Sequence, residues 1–361
     1  MEEKYMKLAL ALARKAAGRT SPNPLVGAVI VKNKQIVGQG YHRKAGTLHA
    51  ERMALREAGA EAAGADLYVT LEPCSHYGRT GPCTEAIIES KIKNVYIAVL
   101  DPNPLVAGKG LKRLQEAGMG VQVGLKAQEA AKLNEIFFKY ITTKSPFVAL
   151  KTACSLDGKI ATQSGHSQWI TGQEARAYGH ILRNRYDAVM VGIGTVLADN
   201  PALNCRAEGG RDPVRVVVDS NLSISPEAKI LNLNSQAPTL IATTEKSPVQ
   251  KRVRLTEKAE ILVVNDGDRV DLKKLLTLLG KKQITGVLVE GGAKLNGELI
   301  RHNLIDKFYL FYAPMLIGGQ TAPGFAGGEG PKQLAGALKL GDLSMKRLGG
   351  DFLITAYPEI K

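Results

Sequence analysis

The order of apolar and polar residues predicts two consecutive α/β units. In the first 140 residues, segments with apolar side chains at helical spacing alternate with short extended runs. Helices are predicted over 3–17, 50–59, 83–90, 108–117 and 126–140, and strands over 25–32, 35–39, 67–71, 94–100 and 121–124. Strands separated by helices of this length indicate a sheet sandwiched between helices.

A polar, proline-ended segment at 142–146 is the predicted linker, and it divides the chain into domains 1–145 and 146–361. Beyond it, strands are predicted over 147–152, 188–191, 214–218, 240–242, 261–263, 287–289 and 307–312, with helices over 173–184, 271–279 and 293–301. The chain has no internal repeat and no low-complexity segment. The two halves therefore look like two different α/β folds.

Composition narrows the class of protein. Hydrophobic residues make up 44% of the 361 residues and charged residues 23%, which is typical of a globular protein. No apolar run approaches the roughly 20 residues that span a bilayer, and the N-terminus lacks the basic-then-apolar order of a signal peptide. The sequence therefore predicts a cytoplasmic protein that is not bound to a membrane.

The net charge of +14 raises nucleic acid as a partner. The basic residues are spread over both halves without an Arg/Lys block, and only 5% of residues are aromatic, so stacking platforms for single strands are sparse. The charge distribution favours small anionic substrates over a nucleic-acid surface.

A cluster of zinc-ligand residue types stands in the first half. The segment His49-Ala50-Glu51 ends 22 residues before Pro73-Cys74, and eight residues separate Cys74 from Cys83. His49, Cys74 and Cys83 supply three ligands for Zn²⁺ and leave a fourth position for water, as in catalytic zinc sites. Glu51 lies close enough to move protons between that water and a substrate. This set resembles the zinc nucleobase deaminases.

The gap between the two cysteines is longer than the two residues of the general deaminase signature. A structural zinc site or buried thiols are the alternative interpretation. The longer gap, however, resembles the riboflavin-pathway deaminases, as do Ser-Pro-Asn-Pro-Leu-Val-Gly-Ala-Val at 21–29, Thr-Leu-Glu-Pro-Cys-Ser-His at 70–76 and Asp-Pro-Asn-Pro at 101–104. The resemblance extends through the first half in order and implies a cytidine-deaminase-like three-layer sandwich.

That resemblance implies hydrolytic deamination of 2,5-diamino-6-ribosylamino-4(3H)-pyrimidinone 5′-phosphate. The candidate residues for binding this ribotide are Asn23, His42, His76, Arg79 and Asn103. An asparagine amide suits a pyrimidine edge. Asparagine beside proline also forms turns, which is the alternative for Asn23 and Asn103. For His42 the alternative is an ordinary surface histidine.

The second half lacks a complete dinucleotide-binding fingerprint, Gly-x-Gly-x-x-Gly. The segment Val-Gly-Ile-Gly-Thr-Val-Leu at 191–197 has the first two glycines, but Leu197 stands in place of the third. Several segments instead resemble dihydrofolate-reductase-like α/β domains. They are Ala-Cys-Ser-Leu-Asp-Gly-Lys-Ile at 153–160, Ser-Gln-Trp-Ile-Thr at 167–171, Val-Leu-Ala-Asp-Asn-Pro at 196–201 and Val-Glu-Gly-Gly-Ala at 289–293. Glycines before a helix let a diphosphate approach the helix N-terminus, although they also form a tight strand–helix turn.

Taken together, the chain resembles the bifunctional riboflavin-biosynthesis deaminase/reductases. The resemblance implies an NADPH site lined by Ala153, Trp169, Thr195, Asp199, Ser220, Gly292, Ala293, Lys294, Leu295, Asn296, Gly297 and Glu298. It implies a substrate site lined by Ser167, Arg183, Leu203, Arg206 and Glu290. Arginine forks match phosphate oxygens, but an ion pair is the alternative for each arginine, and a core aromatic is the alternative for Trp169. Asp199 and Glu290 are candidate acids for holding sugar hydroxyls or handling protons, without a choice between these roles.

Two other functions remain as hypotheses. One is a tRNA or nucleobase deaminase with a C-terminal binding module, and the other is a zinc-binding scaffold without activity. The resemblance over both halves favours the riboflavin-pathway enzyme, with pyrimidine ribotides as substrates and a homo-oligomer as the expected assembly.

Overall fold

The computed structural model describes residues 2–77, 81–104 and 106–359, and the chain divides into two compact units, Met1–Lys144 and Ser145–Lys361. The helices of the first unit are α1 (Glu3–Arg14), α2 (Ala50–Ala58), α3 (Cys83–Glu89), α4 (Lys109–Glu116), α5 (Ala127–Leu133) and α6 (Glu135–Thr143). Its strands are β1 (Gly27–Lys32), β2 (Gln35–Tyr41), β3 (Asp66–Val69), β4 (Asn94–Ile97) and β5 (Gly120–Val123), and Gly59–Ala62 is a 3₁₀ helix.

The first unit is a three-layer sandwich, as predicted. Its sheet has the order β2-β1-β3-β4-β5, in which β1 is antiparallel to β2 and β3, and β3, β4 and β5 are parallel. Successive side chains of a strand point to opposite faces. Val29 and Val31 accordingly pack with α1 on one face, while Ala28 and Ile30 pack with α2 and α3 on the other.

The single helix predicted over 126–140 is wrong, because the chain forms two helices that meet at Asn134. The Asn134 side chain is buried and exchanges two hydrogen bonds with the backbone of Leu25, at 2.8 and 2.9 Å. This tertiary contact fixes Asn134 outside helical geometry, with φ −103° and ψ 17°. The local pattern of apolar residues gives no sign of it.

The second unit contains one large sheet with helices around it. Its strands are β6 (Phe147–Ser155), β7 (Ala188–Gly192), β8 (Val214–Val218), β9 (Thr239–Thr244), β10 (Glu260–Asn265), β11 (Gly286–Val289), β12 (Lys307–Ala313), β13 (Leu340–Leu348) and β14 (Asp351–Pro358). Its helices are α7 (Gln173–Arg185), α8 (Ile193–Asp199), α9 (Val249–Leu255), α10 (Leu272–Lys281) and α11 (Ala293–Arg301), with 3₁₀ turns at Lys229–Leu231 and Leu334–Gly336.

The order of the second sheet is β10-β9-β8-β7-β11-β6-β12-β14-β13. The strands from β10 to β12 are parallel, and β14 is antiparallel to both β12 and β13. The core lies where α10 and α11 cover the parallel strands, with Leu275, Leu279 and Leu299 against Val216 and Val287. No described helix is long and apolar enough to cross a membrane.

All seven strands predicted for this half are present, whereas α8, α9, β13 and β14 were not predicted. Strand β13 lies at the sheet edge and is exposed along most of its length, so it lacks the alternation of apolar residues that identifies a half-buried strand. Helices α8 and α9 have seven residues each, which is too short for a clear helical period.

Candidate active sites

Two glycines position the first site by letting α2 lie directly on β2. A Cβ added at Gly40 would lie 2.6 Å from the carbonyl oxygen of Ala50, and one at Gly38 would lie 2.3 Å from that of Ala54. Such distances are below any real contact of a Cβ, so only glycine allows this approach. The first turn of α2, with His49 at its N-cap position, is thereby held against the sheet.

The three predicted zinc ligands come together at this helix end. The Nδ1 of His49 lies 3.2 Å from the Sγ of Cys83 and 3.6 Å from the Sγ of Cys74, and the ligand atoms of all three residues lie within 4.8 Å of one another. Cys83 begins α3 and is fully buried, and its backbone N–H donates to the Cys74 sulfur at 3.4 Å. One imidazole and two thiols in this arrangement match the donor set of zinc.

The carboxyl group of Glu51 lies beside these ligands. Its side chain is 3% exposed and hydrogen-bonds to the Cys83 thiol. Burial, and then the neighbouring charge of Cys74, raise the pKa of Glu51 to about 7. Hydrogen bonds from Cys83 and His49 lower the pKa of Cys74, which favours its thiolate form.

His42 packs against the predicted zinc ligand His49, and Asn23 hydrogen-bonds to His42. The imidazole of His42 is 2% exposed and packs edge-on against that of His49, with ring centroids 5.4 Å apart. The Nδ1 of His42 is 3.2 Å from the carbonyl oxygen of Leu48, and its Nε2 is 3.1 Å from the Asn23 amide nitrogen. The carbonyl can only accept, so Nδ1 carries the proton and Nε2 accepts from Asn23. Burial lowers the pKa of His42, which keeps the ring neutral.

The loop that carries Asn103 is fixed by the buried carboxylate of Glu72. Glu72 is buried and accepts backbone hydrogen bonds from Asp101, Gly108, Gly110 and Leu111 at 2.9–3.2 Å. These bonds fix the loop before α4, in which the Asn103 backbone donates to Asp101 Oδ1 at 2.8 Å.

Asp101 is the residue of this site that the sequence did not single out. Burial raises its pKa to about 6, and it lies close enough to His76 and Cys74 for both to influence it. His76 is exposed, and Arg79 lies outside the described residues. The Asp-Pro-Asn-Pro motif was the only available signal for Asp101.

The second site lies at the carboxyl edge of the parallel strands. Strands β7 and β11 are neighbours although three other strands separate them along the chain, which makes their junction a topological switch point. Helices α8 and α11 begin there, with Gly192 and Gly292 at their N-cap positions. A Cβ added at Gly292 would lie 3.4 Å from the Thr195 hydroxyl, so the two helix starts lie side by side. In open α/β sheets, ligands bind at such a crevice.

The residues at this crevice fit a dinucleotide. A Cβ added at Gly291 would lie 2.9 Å from Leu295 and 3.0 Å from Asn296 Oδ1, and the Asn296 oxygen is buried without a hydrogen-bond partner. Of the predicted stretch 292–298, Leu295 and Asn296 are buried and Lys294 is exposed. Gly297 is held against the backbone of Gly327, where a Cβ would collide with a carbonyl oxygen.

A buried ion-pair network surrounds Glu290, the residue that follows β11 in the second unit. Arg183 donates to both carboxylate oxygens of Glu290, at 2.6 and 3.0 Å, and also to the carbonyl oxygen of Asn204 at 3.0 Å. Lys151 Nζ lies 3.5 Å from Glu290 Oε2. Burial by itself raises the pKa of Glu290, but Arg183 and Lys151 together hold it at about 2. Lys151 has no motif around it in the sequence and was not predicted.

The remaining predicted residues of the second site have different surroundings. Half-buried Ser167 donates to exposed Asp199 at 3.0 Å. Trp169 is 64% exposed, with the Arg176 guanidinium 4.7 Å from its ring centroid, so it is no core aromatic. Of the other predicted residues, Leu203 is buried, and Arg206 is exposed beside His180. Ala153 lies on β6, and the hydroxyl of Ser220, just after β8, accepts a hydrogen bond from the Val270 N–H.

Comparison with known proteins covers the whole chain. Residues 146–354 match the family described as RibD C-terminal domain, and residues 1–99 match the cytidine and deoxycytidylate deaminase zinc-binding region. The chain is 46% identical over 360 residues to the riboflavin biosynthesis protein RibD of Bacillus amyloliquefaciens, covering 99% of this chain and 97% of that protein.

Two solved structures are similar over the full length. Acinetobacter baumannii RibD superposes with a TM-score of 0.89 at 40% identity, covering 99% of both chains. A diaminohydroxyphosphoribosylaminopyrimidine deaminase/5-amino-6-(5-phosphoribosylamino)uracil reductase from Thermotoga maritima gives 0.87 at 39% identity, covering 99% of this chain and 98% of that one.

Proposed function

This chain belongs to the RibD family of bifunctional deaminase/reductases of riboflavin biosynthesis, and from that membership we propose which of its residues carry each reaction. The chain is a hydrolase and an oxidoreductase, with zinc and NADPH as its cofactors. We assign deamination of the diaminopyrimidinone ribotide to residues 1–145 and reduction of its ribosyl chain to residues 146–361. The observation that carries the assignment is the convergence of His49, Cys74 and Cys83 beside the buried carboxyl group of Glu51.

In the first unit, His49, Cys74 and Cys83 hold zinc, which when bound supplies Lewis-acid activation of a water molecule. Glu51 takes a proton at its carboxylate and returns it to the substrate nitrogen that leaves as ammonia. Its place beside the ligand thiol of Cys83 supports this role.

Around that centre, Asn23, His42, His76, Arg79 and Asn103 bind and orient the ribotide. Neutral His42 accepts from the Asn23 side chain and so fixes the direction of the amide. Asp101 holds the Asn103 loop through its carboxylate, and its closeness to His76 ties the two substrate-binding segments together.

In the second unit, the paired helix starts at Gly192 and Gly292 hold the diphosphate of NADPH, which when bound supplies the hydride. Thr195 lies between the two starts. Ala153, Trp169, Asp199, Ser220 and the stretch 292–298 complete the cofactor site. The two glycines leave the space that a Cβ would fill.

Substrate in the second unit lies next to Glu290, whose carboxylate holds Lys151 and Arg183 in place. Lys151 presents an ammonium group to the ribosyl chain. Because all the hydrogen bonds found for Arg183 go to protein oxygens, Arg206 is the cation left exposed for the ribotide phosphate. Ser167 and Leu203 complete the substrate site, and the hydrogen bond from Ser167 to Asp199 places these two at its rim.

The experiment is product analysis by mass spectrometry on the full-length protein, with two reciprocal variants. Without NADPH, the wild type exchanges an amino group for oxygen, and with NADPH the product gains two hydrogens. Glu51→Gln loses deamination, retains zinc and still reduces the deaminated ribotide, whereas Lys151→Met deaminates but does not reduce. Loss of both reactions in either variant would contradict the division of roles.

We also propose that the protein acts in the cytoplasm as a homo-oligomer on small molecules, without a nucleic-acid partner. Thiol ligands require a reducing compartment, and the four cysteines are free of disulfides. The edge strand β13 exposes Leu343 and Met345 at 64% and 71%, which suits pairing with a second copy. Light scattering after size-exclusion chromatography tests the assembly, and an RNA gel shift at moderate salt tests the partner.

A further inference from the structure

Trp169, the one tryptophan of the chain, lies in the loop before α7 and is 64% exposed. The loop is fastened on both sides of it. Ser167 donates to Asp199 at 3.0 Å, and the backbone N–H of Gly172 donates to the buried carboxylate of Asp351 at 2.7 Å. The backbone around Trp169 is thereby fixed, whereas these bonds do not hold its ring.

Arg176 contacts both the ring and the end of this loop. It lies in the first turn of α7, and because helical side chains lean towards the helix N-terminus, its side chain points back over the loop. Its Nη1 donates to the carbonyl oxygen of Thr171 at 2.6 Å, and its guanidinium carbon lies 4.7 Å from the centroid of the Trp169 ring. One planar side chain therefore connects the backbone of the loop to a face of the indole.

The stability of α7 does not account for a cation at this position. The N-terminus of a helix carries the positive end of its dipole, which favours acidic side chains and disfavours arginine. Glu174 is the acidic residue of this first turn. What Arg176 provides is therefore its two contacts to Thr171 and Trp169, and both of them concern the loop.

An indole held in this way is a prepared stacking surface. Aromatic side chains stack on planar rings, and a ring that is already fixed loses less conformational entropy when it binds. Nicotinamide and adenine are the planar rings of NADPH, the cofactor of this unit. Among the residues that the structure describes, no other aromatic ring packs against Trp169, so its stacking surface is not used within the chain.

We propose that Arg176 is a positioning residue of the reductase, which holds the Trp169 ring in the orientation that stacks on a planar ring of NADPH. Arg176 acts through Trp169 and does not itself touch the cofactor. The proposal rests on the assignment of Trp169 to the cofactor site above.

Tryptophan emission of the full-length protein tests the orientation of the ring, since Trp169 is its only source. Arg176→Met keeps an unbranched apolar side chain but removes the guanidinium. Before any cofactor is added, we expect this variant to show lower emission anisotropy and stronger quenching by acrylamide than the wild type. Lys346→Met is the matched control, because Lys346 Nζ lies 5.3 Å from the ring centroid of Tyr178, a contact of the same kind that does not involve Trp169.

Binding of NADPH, measured by titration calorimetry, tests the consequence for the cofactor. We expect Arg176→Met to raise the Kd for NADPH by ~5-fold or more, through loss of the cation–ring contact and of a charged hydrogen bond. The kcat at saturating NADPH stays unchanged. Trp169→Leu raises the Kd at least as much, and adding Arg176→Met to Trp169→Leu raises it no further, because Arg176 acts only through the ring. Lys346→Met keeps the wild-type Kd.

The same variants separate failure of this proposal from failure of the cofactor site. If Trp169→Leu raises the Kd and Arg176→Met does not, Arg176 does not position the ring and the cofactor assignment stands. The same conclusion follows if Arg176→Met weakens binding equally with and without Trp169. If Trp169→Leu leaves the Kd unchanged, Trp169 lies outside the cofactor site and the proposal falls with that assignment. Unchanged emission anisotropy in Arg176→Met, or a fall in kcat with an unchanged Kd, would also overturn it.

Discussion

Replacing Glu290 by Gln tests the buried ion-pair network of the second unit. The side chains of Glu290 and Arg183 are only 10% and 16% exposed, so solvent screens their interaction little. Arg183 and Lys151 hold the pKa of Glu290 at about 2, against an ordinary value of 4.5. A difference of that size corresponds to about 3 kcal/mol of folding free energy at neutral pH.

Glutamine keeps the shape of the side chain but leaves two cations in the second unit without their carboxylate. We expect the variant to lose about 3 kcal/mol and its second unit to melt about 6–12 °C lower at pH 7, measured by scanning calorimetry. The transition of the first unit is identified by its shift when zinc is removed. Glu260→Gln is the matched control, because its pair with Lys282 is well exposed and contributes less than about 1 kcal/mol.

The pH dependence has a definite sign. Because the pKa of folded Glu290 lies below its unfolded value, the stabilisation is complete above about pH 5 and is lost as the pH falls towards 2. The difference in unfolding free energy between wild type and Glu290→Gln therefore falls to less than half by about pH 3. A variant that melts like the control at pH 7, or a difference that does not change with pH, would refute the reasoning.

Two further predictions concern the first unit. Gly40→Ala forces α2 away from β2, because its Cβ would lie 2.6 Å from the Ala50 carbonyl oxygen. We expect its zinc content, measured by atomic emission, to fall. The control Gly179→Ala retains zinc, because a Cβ at Gly179 has no atom within 4 Å. Cys83→Ser removes a ligand and lowers zinc content and deamination, while the equally buried Cys154→Ser leaves zinc bound. Normal zinc in Gly40→Ala or Cys83→Ser would count against the arrangement described here.

The zinc ligands and Glu51 were predictable from sequence, whereas Asp101 and Lys151 were not. His49, Cys74 and Cys83 belong to a motif whose residue types and order limit the chemistry. Asp101 and Lys151 have no comparable signal, because their surroundings come from elements distant in the sequence. Lys151, on β6, meets Glu290, at the end of β11, only because those strands are neighbours in the sheet.

Local patterns also located the core strands better than the exposed elements. Strands such as β7 and β11 consist largely of buried apolar residues, and their positions follow from composition alone. The edge strand β13 and the break at Asn134 depend instead on what the rest of the chain places beside them. The substrate loop around Asn23 is held through that same Asn134 contact, so the site depends on an interaction that periodicity does not encode.

The ion-pair network also bears on a question that the sequence left open, the role of Glu290. With a pKa of about 2, this carboxylate is ionised throughout the neutral range and has no proton to give. If Glu290 took up a proton, Lys151 and Arg183 would lose the negative charge that pairs with them. We therefore propose that Glu290 acts by holding Lys151 and Arg183, and that the proton that accompanies reduction comes from another donor. The side chain of Lys151, whose Nζ lies 3.5 Å from Glu290 Oε2, is the donor that we propose.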